Sequence, residues 1–175
     1  MARHLPGSFF VSCLALMPVV LRDVRHSVRG RDWFARAQAL WLDEIGASAH
    51  DIAAAPLRSA ALLAEPDREI LSIERDDQTV GFAVLQRRLS QGTSATYLLL
   101  EFYVIPASRA LGVGAAAARL LFHRFSGHWE IRSLSTDRRA IAFWRRVTSE
   151  YAPGAVEERR ERGEVVQRFL SKGAR

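Results

Sequence analysis

A short glycine-containing turn is the part of this chain whose residue types and spacing point most clearly to chemistry. It reads Arg109-Ala110-Leu111-Gly112-Val113-Gly114-Ala115 and joins an apolar run to an alanine-rich run. The free N–H groups and the dipole of a helix N-terminus favour an anion there. Because glycine has no Cβ, a ligand can come close to the backbone at Gly112 and Gly114. The turn therefore predicts a pyrophosphate site, to which Arg109 either adds charge or only fixes the turn.

Two familiar phosphate-binding patterns do not fit this turn. A P-loop has Gly-Lys-Ser/Thr after its spacer, whereas Gly114 is followed by two alanines. A dinucleotide-binding fingerprint has three glycines in the first βαβ unit and an acidic residue farther on. Here only two glycines are present, and they lie past the middle of the chain.

The apolar run before the turn, Tyr97 to Ile105, contains a single charged residue, Glu101. Its composition predicts a strand in the core of a sheet. Burial disfavours the charged form of a carboxylate and therefore favours uptake of a proton. A buried Glu101 would thus be suited to take a proton from an ammonium group. The alternative is a structural carboxylate that backbone donors or an arginine hold. Tyr103 lies two residues on and is expected on the same sheet face as Glu101, and Glu130 on the next strand is a weaker candidate base.

The elements around the turn follow from hydrophobic periodicity and from glycine and proline signals. The predicted order is β, α, α, β, β, β, α, β, α, β, β in one domain without repeats. Helical spacing predicts one helix from about Arg31 to Gly46 and another from His50 to Leu63, interrupted near Pro56. The predicted strands are residues 17–25, 69–74, 79–89, 95–106, 129–135, 156–162 and 164–171, and the other helices are residues 116–125 and 137–147.

These motifs together resemble those of the GNAT superfamily of N-acetyltransferases, and the resemblance covers Met17 to about Lys172. Val104-Ile105-Pro106 followed by the turn from Arg109 to Ala115 is similar to the acyl-CoA-binding motif of that superfamily. Asp137-Arg-Arg-Ala-Ile-Ala-Phe-Trp144 stands where its members usually have Asn-x-x-Ala-x-x-Phe-Tyr. Asp137 thus replaces the Asn, and Trp144 replaces the Tyr that many members use to protonate the leaving thiolate.

The resemblance implies an α/β (α+β) fold. We expect a mixed, mostly antiparallel twisted sheet of six to seven strands with about four flanking helices. It also implies acetyl-CoA as cosubstrate, bound by the backbone of Val104 and of residues Arg109, Ala110, Leu111, Gly112, Val113, Gly114 and Ala115. The N–H of Val104 would polarise the thioester, Glu101 is the candidate base, and Tyr103, Tyr151 or water would protonate the thiolate.

The implied acceptor is a primary amine on a small molecule or a peptide. Nothing in the sequence chooses among such acceptors. The alternative function, which the missing Asn and Tyr keep open, is a non-catalytic acyl-CoA-binding or interaction module on the same fold. A C-terminal edge strand could pair with a second copy, so a homodimer is left open.

Composition limits the other function classes. The 175 residues are 49% hydrophobic and 25% charged, as in globular domains. The net charge is +6, but the arginines are scattered among acids, so we expect no specific nucleic-acid site; a basic nucleic-acid-binding domain is the third hypothesis. The five histidines lack ligand spacing, and Cys13 is the single cysteine. We therefore expect no metal and a cytoplasmic protein.

The first 16 residues are unlike the rest of the chain. Arg3 and His4 precede an apolar run that is too short to span a bilayer, so we expect no membrane insertion. The run faintly resembles a signal peptide but lacks a small-x-small cleavage site. We interpret residues 1–16 as an extension that precedes a domain of residues 17–172.

Overall fold

In the computed structural model, which describes residues 18–89 and 95–173, seven strands form one sheet with helices on both faces. The predicted extension of residues 1–16 and the predicted turn of residues 91–94 lie outside the described residues. The strands are β1 (Val20–Asp23), β2 (Arg68–Arg75), β3 (Gln78–Leu89), β4 (Ala95–Val104), β5 (Gly127–Leu134), β6 (Glu157–Glu161) and β7 (Glu164–Ser171). The helices are α1 (Val28–Glu44), α2 (Ala49–Ala53), α3 (Ala55–Ala64), α4 (Val113–Arg124) and α5 (Arg138–Tyr151).

The sheet has the strand order β1-β2-β3-β4-β5-β7-β6. All neighbouring strands are antiparallel except β4 and β5, which are parallel. The α4 crossover joins that parallel pair, as a parallel connection requires. The predicted fold class, with its mixed and mostly antiparallel sheet, is confirmed.

Two predicted elements differ in detail from the structure. The first strand stops at Asp23, because its carboxylate caps a short 3-10 helix by accepting from the N–H of Arg25. The alanine-rich segment forms two helices instead of one, so five α-helices are described where about four were expected. Pro56 lies in the first turn of α3, where its missing N–H costs no helical hydrogen bond.

Two layers of apolar side chains hold the helices to the sheet. Phe34 and Ala37 of α1 pack on Ile70, Phe82 and Val84 on one face. On the other face, α4 and α5 contribute a second cluster with the aromatic residues of β4, β5 and β7. Its largest members are Phe122, Trp129, Trp144 and Phe169. The β4–β5 junction is therefore covered by α4 and α5 on one face and by α1 and α3 near β4 on the other.

Candidate active site

The predicted anion turn lies between the end of β4 and the start of α4. Pro106–Ser108 form one turn of 3-10 helix, and Gly112 is the N-cap of α4 with a left-handed φ of 76°. A Cβ on Gly112 would meet no atom within 4 Å, so the requirement for glycine is conformational and not steric. Ala110 also adopts a left-handed φ of 61°, and the backbone at this turn is therefore strained.

The backbone N–H groups of this turn are available to a ligand. Among the described residues, none accepts a hydrogen bond from the backbone N–H of residues 110–115, and the first paired amide is Ala116, which donates to the carbonyl of Gly112 at 3.0 Å. Within the same part of the chain, no side chain caps the N-terminus of α4, although helices commonly use such a cap. An anion could accept from these N–H groups without displacing a described protein partner.

Arg109 connects this turn to β4 and α1. Its Nε donates to the carbonyl of Val104 at 2.7 Å, and its two Nη atoms bind the Glu44 carboxylate at 2.7 and 2.6 Å. The guanidinium also lies 5.5 Å from the centre of the Tyr103 ring. Of the two roles left open for Arg109, these contacts favour fixing the turn, because Glu44 compensates its charge.

The carboxyl-terminal half of β4 has a free edge. Parallel pairing with β5 runs from Thr96 to Leu99 and ends there, and the described parts of the two strands then diverge. The N–H of Ile105 donates to Val80 of β3 at 2.9 Å, so the alternation along a strand directs the N–H of Val104 to the free edge. Val104 thus presents its N–H where the sequence predicted an oxyanion donor.

A β-bulge decides which side chains of β4 face which helices. Val84 pairs with Glu101, but the next residue of β3, Leu85, pairs with Leu99, so Leu100 is the extra residue. The bulge reverses the alternation. Leu99 and Phe102 both face the layer of α4 and α5, whereas Glu101 contacts α1 and α3.

A cleft of about 780 Å³ opens along this free edge. Its volume lies within the range of small-molecule sites, roughly 300–1,000 Å³. Four parts of the chain line it: the end of α1, the end of β4, the turn, and the first half of α5. The lining residues are Trp41, Glu44, Ile45, Phe102, Tyr103, Val104, Arg109, Ala110, Gly112, Gly114, Ala115, Asp137, Arg139, Ala140, Phe143, Trp144 and Arg146.

Glu101 is buried beside the cleft and is not one of its lining residues in the described part of the chain. Its side chain is 3% exposed, and its two oxygens accept from Gln38 of α1 and Arg58 of α3. Arg58 also donates to Gln38 at 3.1 Å and lies 5.7 Å from the centre of the Trp41 ring. These contacts join both helices to the centre of the sheet.

Tyr103 lies on the same face as Glu101, as predicted, and is one of the residues that line the cleft. The residue is 5% exposed, and its ring packs on Phe82 at 5.6 Å between centroids. Burial, followed by the negative charge of Glu44, raises the pKa of the Tyr103 hydroxyl. The phenol is protonated at neutral pH, as an unshifted tyrosine is, and the raised pKa makes it a weaker acid than a solvent-exposed tyrosine.

The second motif forms the start of α5. Asp137 is the N-cap, since its Oδ1 accepts from the N–H of Ala140 at 2.9 Å, and a cap at this residue or at Thr136 was predicted. Trp144 is 6% exposed and packs edge-on against Phe102 at 5.0 Å. The residue in the place of the usual Tyr therefore forms a wall of the cleft.

The weaker candidate base, Glu130, is already paired. Burial alone would raise the pKa of Glu130, but hydrogen bonds from Arg168 and Arg132 outweigh burial and lower that pKa. The donor–acceptor distances are 2.7 Å for Arg168 and 2.6 Å for Arg132. Glu130 is thus held as a carboxylate in a network of ion pairs.

Sequence reasoning did not identify Glu44, Gln38 or Arg58 as site residues. The one signal for Glu44 is its position, because it ends a helix whose last turn has no basic residue to offset the helix dipole. Gln38 and Arg58 gave no signal, since their role depends on how α1 and α3 pack on β4.

Among the described residues, no helix is long and apolar enough to cross a bilayer. Within the same residues, His, Cys, Asp and Glu side chains form no group of three or more that could hold a metal ion.

Comparison with known proteins identifies the family of this chain. A sequence model described as the acetyltransferase (GNAT) family matches residues 31–148. No curated protein sequence matches the chain.

Several solved structures share the fold. An acetyltransferase from Thermus thermophilus is 14% identical with a TM-score of 0.64, covering 89% of this chain and 97% of that chain. The PaiA N-acetyltransferase from Thermoplasma acidophilum, solved with coenzyme A, is 12% identical with a TM-score of 0.59, covering 88% and 99%. The ribosomal-protein-S18-alanine N-acetyltransferase from Escherichia coli is 12% identical with a TM-score of 0.61, covering 90% and 96%.

Proposed function

The chain belongs to the acetyltransferase (GNAT) family, and from that premise we propose that it moves the acetyl group of acetyl-CoA to a primary amine by direct attack. The observation that carries the proposal is the run of N–H groups in residues 110–115 that have no described partner, next to the free edge of β4. A ligand with a pyrophosphate and an extended amide-bearing arm would match both features.

Residues 110–115 would hold the pyrophosphate through their backbone N–H groups, without needing lysine. The cosubstrate supplies an acyl group activated as a thioester. Gly114 supports this role, because a Cβ there would come within 3.4 Å of the Phe143 ring and narrow the cleft at the turn. The crystal structure of the PaiA N-acetyltransferase, which contains coenzyme A, is a precedent on the same fold.

The N–H of Val104 would donate to the carbonyl oxygen of the acyl group as negative charge develops there. This role is backbone chemistry, so a side-chain substitution at Val104 tests packing more than catalysis. Arg109 would support it indirectly, because its bond to the Val104 carbonyl holds the end of β4.

Removal of the amine proton was assigned by sequence to Glu101. In favour of that role is its buried position next to Tyr103 on β4. Against it are its two hydrogen bonds to Gln38 and Arg58 and its absence from the lining of the described cleft. We therefore propose that Glu101 positions α1 and α3, with the base role as the alternative that substitution tests.

Protonation of the leaving thiolate is proposed for Tyr103. Its hydroxyl belongs to a residue of the cleft, and a phenol carries its proton at neutral pH. The indole of Trp144 cannot give up its proton at such pH. Tyr151 instead shares a hydrogen bond of 2.8 Å with Ser171, near the end of β7, which favours a structural role.

The acceptor is proposed to be an amine of a small molecule or a peptide. The S18-alanine N-acetyltransferase shows that the fold can serve an alanine of a protein. The second candidate function is a non-catalytic acyl-CoA-binding module, which the tryptophan at position 144 favours because it removes the usual proton donor.

The test is calorimetric titration of the full chain with acetyl-CoA, CoA and ATP, followed by thiol-release assays with butylamine, spermidine, an alanine-initiated peptide and a lysine peptide. We expect micromolar binding of both CoA species, none of ATP, and amine-dependent thiol release. CoA binding without release for any amine would favour the binding module, and no CoA binding would refute both functions.

A further inference from the structure

Two carboxylates line the cleft, and they differ in what they do. Asp137 caps α5. Glu44, the last residue of α1, has a side chain that is 42% exposed and is paired with Arg109 across the cleft. Glu101, by comparison, is 3% exposed and has both oxygens engaged. Glu44 is therefore a carboxylate that a ligand in the cleft can reach, and unlike Asp137 it caps no helix N-terminus.

The position of Glu44 is unfavourable for the helix itself. The last turn of α1 contains Asp43 and Glu44 and no basic residue, although the carbonyl end of a helix carries partial negative charge. An acidic residue there costs stability, typically about 0.3–1 kcal/mol, unless a cation compensates it. In this structure the Arg109 guanidinium supplies that cation, so the cost at Glu44 depends on a contact from another element.

The contacts of Arg109 place Glu44 close to the reacting end of β4. One guanidinium joins the Glu44 carboxylate to the carbonyl of Val104, whose N–H faces the free edge. A carboxylate has about four lone-pair sites, and Arg109 uses one on each oxygen. Two sites remain for a second donor.

The walls next to Glu44 are aromatic. Trp41, one turn earlier on α1, and Tyr103 both line the cleft. Aromatic rings attract cations and pack against alkyl groups. Near Glu44, the carboxylate, the helix carbonyl end and the aromatic rings therefore suit a protonated amine with an apolar stem, whereas Arg139 and Arg146 line the cleft on the side of α5.

We propose that Glu44 binds the ammonium group of the acceptor and orients its nitrogen toward the acyl group, an assignment that rests on the proposed acetyl transfer. Glu44 is a recognition residue for the second substrate. It is separate from the N–H groups that hold the cosubstrate, and the ammonium proton passes to water before attack.

The experiment compares Glu44→Gln with Glu44→Asp and with the control Asp43→Asn, which removes a charge from the same helix end outside the cleft lining. The acceptor is the panel amine that the wild type acetylates fastest, and its N,N-dimethyl derivative serves as a charged inhibitor. We expect Glu44→Gln to raise KM for the amine and the inhibition constant at least about tenfold, with the dissociation constant of CoA unchanged. Glu44→Asp should restore part of the loss, and Asp43→Asn should behave as wild type.

Three results would overturn the assignment. An amine KM within twofold of wild type in Glu44→Gln would show that Glu44 does not bind the acceptor. A parallel loss of CoA affinity in that variant would show that Glu44 acts only through Arg109 and the turn. A wild-type enzyme that binds CoA but acetylates no amine would refute the proposed function itself, and this assignment with it.

Discussion

Glu101 brings a negative charge into the interior of the sheet, where Arg58 and Gln38 compensate it. Breaking a buried polar contact of this kind leaves the remaining partner unsatisfied, which costs about 1–3 kcal/mol. Arg58 is 43% exposed and can turn to solvent, so we expect the cost to lie toward the lower end.

We predict that Glu101→Gln lowers the free energy of unfolding by about 1–3 kcal/mol and lowers kcat by less than tenfold. Urea denaturation and steady-state kinetics measure the two effects. The control is Glu150→Gln, whose pair with Arg119 is about half exposed on both sides and should contribute less than about 1 kcal/mol. A loss of 100-fold or more in kcat with unchanged stability would instead identify Glu101 as the base.

Tyr103 has its raised pKa because the sheet and α1 bury it and Glu44 adds negative charge. Such a phenol stays protonated across the neutral range and can act as a proton donor. No described residue hydrogen-bonds its hydroxyl, so removing that hydroxyl leaves no protein partner of the described chain unsatisfied.

We predict that Tyr103→Phe lowers kcat about 100-fold, the lower end of general-acid effects, while the dissociation constant of CoA and the unfolding free energy change little. Stopped-flow thiol release and calorimetry give these values. A kcat within threefold of wild type would assign the thiolate proton to water.

In the proposed function, the turn before α4 acts through its backbone more than through its side chains. Gly112, the N-cap of α4, has a φ of 76°, and the backbone N–H groups of the residues that follow it point out of the helix N-terminus. Gly154, after α5, has a similar φ of 70° and equally open space where a Cβ would lie. Comparing the same substitution at the two glycines therefore distinguishes the effect of backbone strain from the effect of a lost ligand contact.

We predict that Gly112→Ala and Gly154→Ala each lower the unfolding free energy by about 1–2 kcal/mol, because a non-glycine residue is strained at left-handed φ. Only Gly112→Ala should weaken CoA binding, by at least about tenfold, since its methyl group and altered φ disturb the N–H groups. Urea denaturation and calorimetric titration with CoA measure the two effects. Equal CoA affinity in the two variants would refute the turn as the cosubstrate site.

At the scale of the described molecule, several arginines form ion pairs that connect strands and helices. Arg132 and Arg168 bind Glu130, Glu161 and Glu164 across β5, β6 and β7. Arg145 of α5 binds Glu158 of β6 through two nitrogens, at 2.5 to 3.2 Å. The net charge of +6 thus coexists with a locally balanced surface around these strands.

Because of the Arg145–Glu158 pair, we expect the unfolding free energy to fall in a defined acidic pH range. The hydrogen bonds from Arg145 lower the pKa of Glu158 from 4.5 to about 2. A lowered carboxyl pKa adds stability that is complete above pH 4.5 and is lost as the pH falls toward 2. Because Arg145 is 51% exposed, solvent limits the contribution to about 1 kcal/mol.

We predict that wild type loses about 1 kcal/mol more unfolding free energy than Glu158→Gln between pH 5.5 and pH 2.5. Urea denaturation at the two pH values measures the difference, and Glu157→Gln, whose pair with Arg159 is exposed on both sides, is the control. Equal losses in wild type and Glu158→Gln would show that the pair does not couple α5 to β6.

The order of strands and helices, the turn from Arg109 to Ala115 and the Asp137 cap could all be predicted from sequence. Each depends on residues close together in the chain, through periodicity, glycine conformation or a side chain that caps the next turn. The family followed from the same local motifs.

Which carboxylate faces the cleft was decided only by the tertiary structure. The bulge at Leu100 places Glu101 against Gln38 and Arg58, and the packing of α1 brings Glu44 to Arg109, 65 residues away. A bulge changes the alternation of a strand without a residue signature, and contacts between distant elements depend on how whole faces pack. For that reason the sequence predicted the strand and the turn that line the cleft but not the side chains that complete its lining.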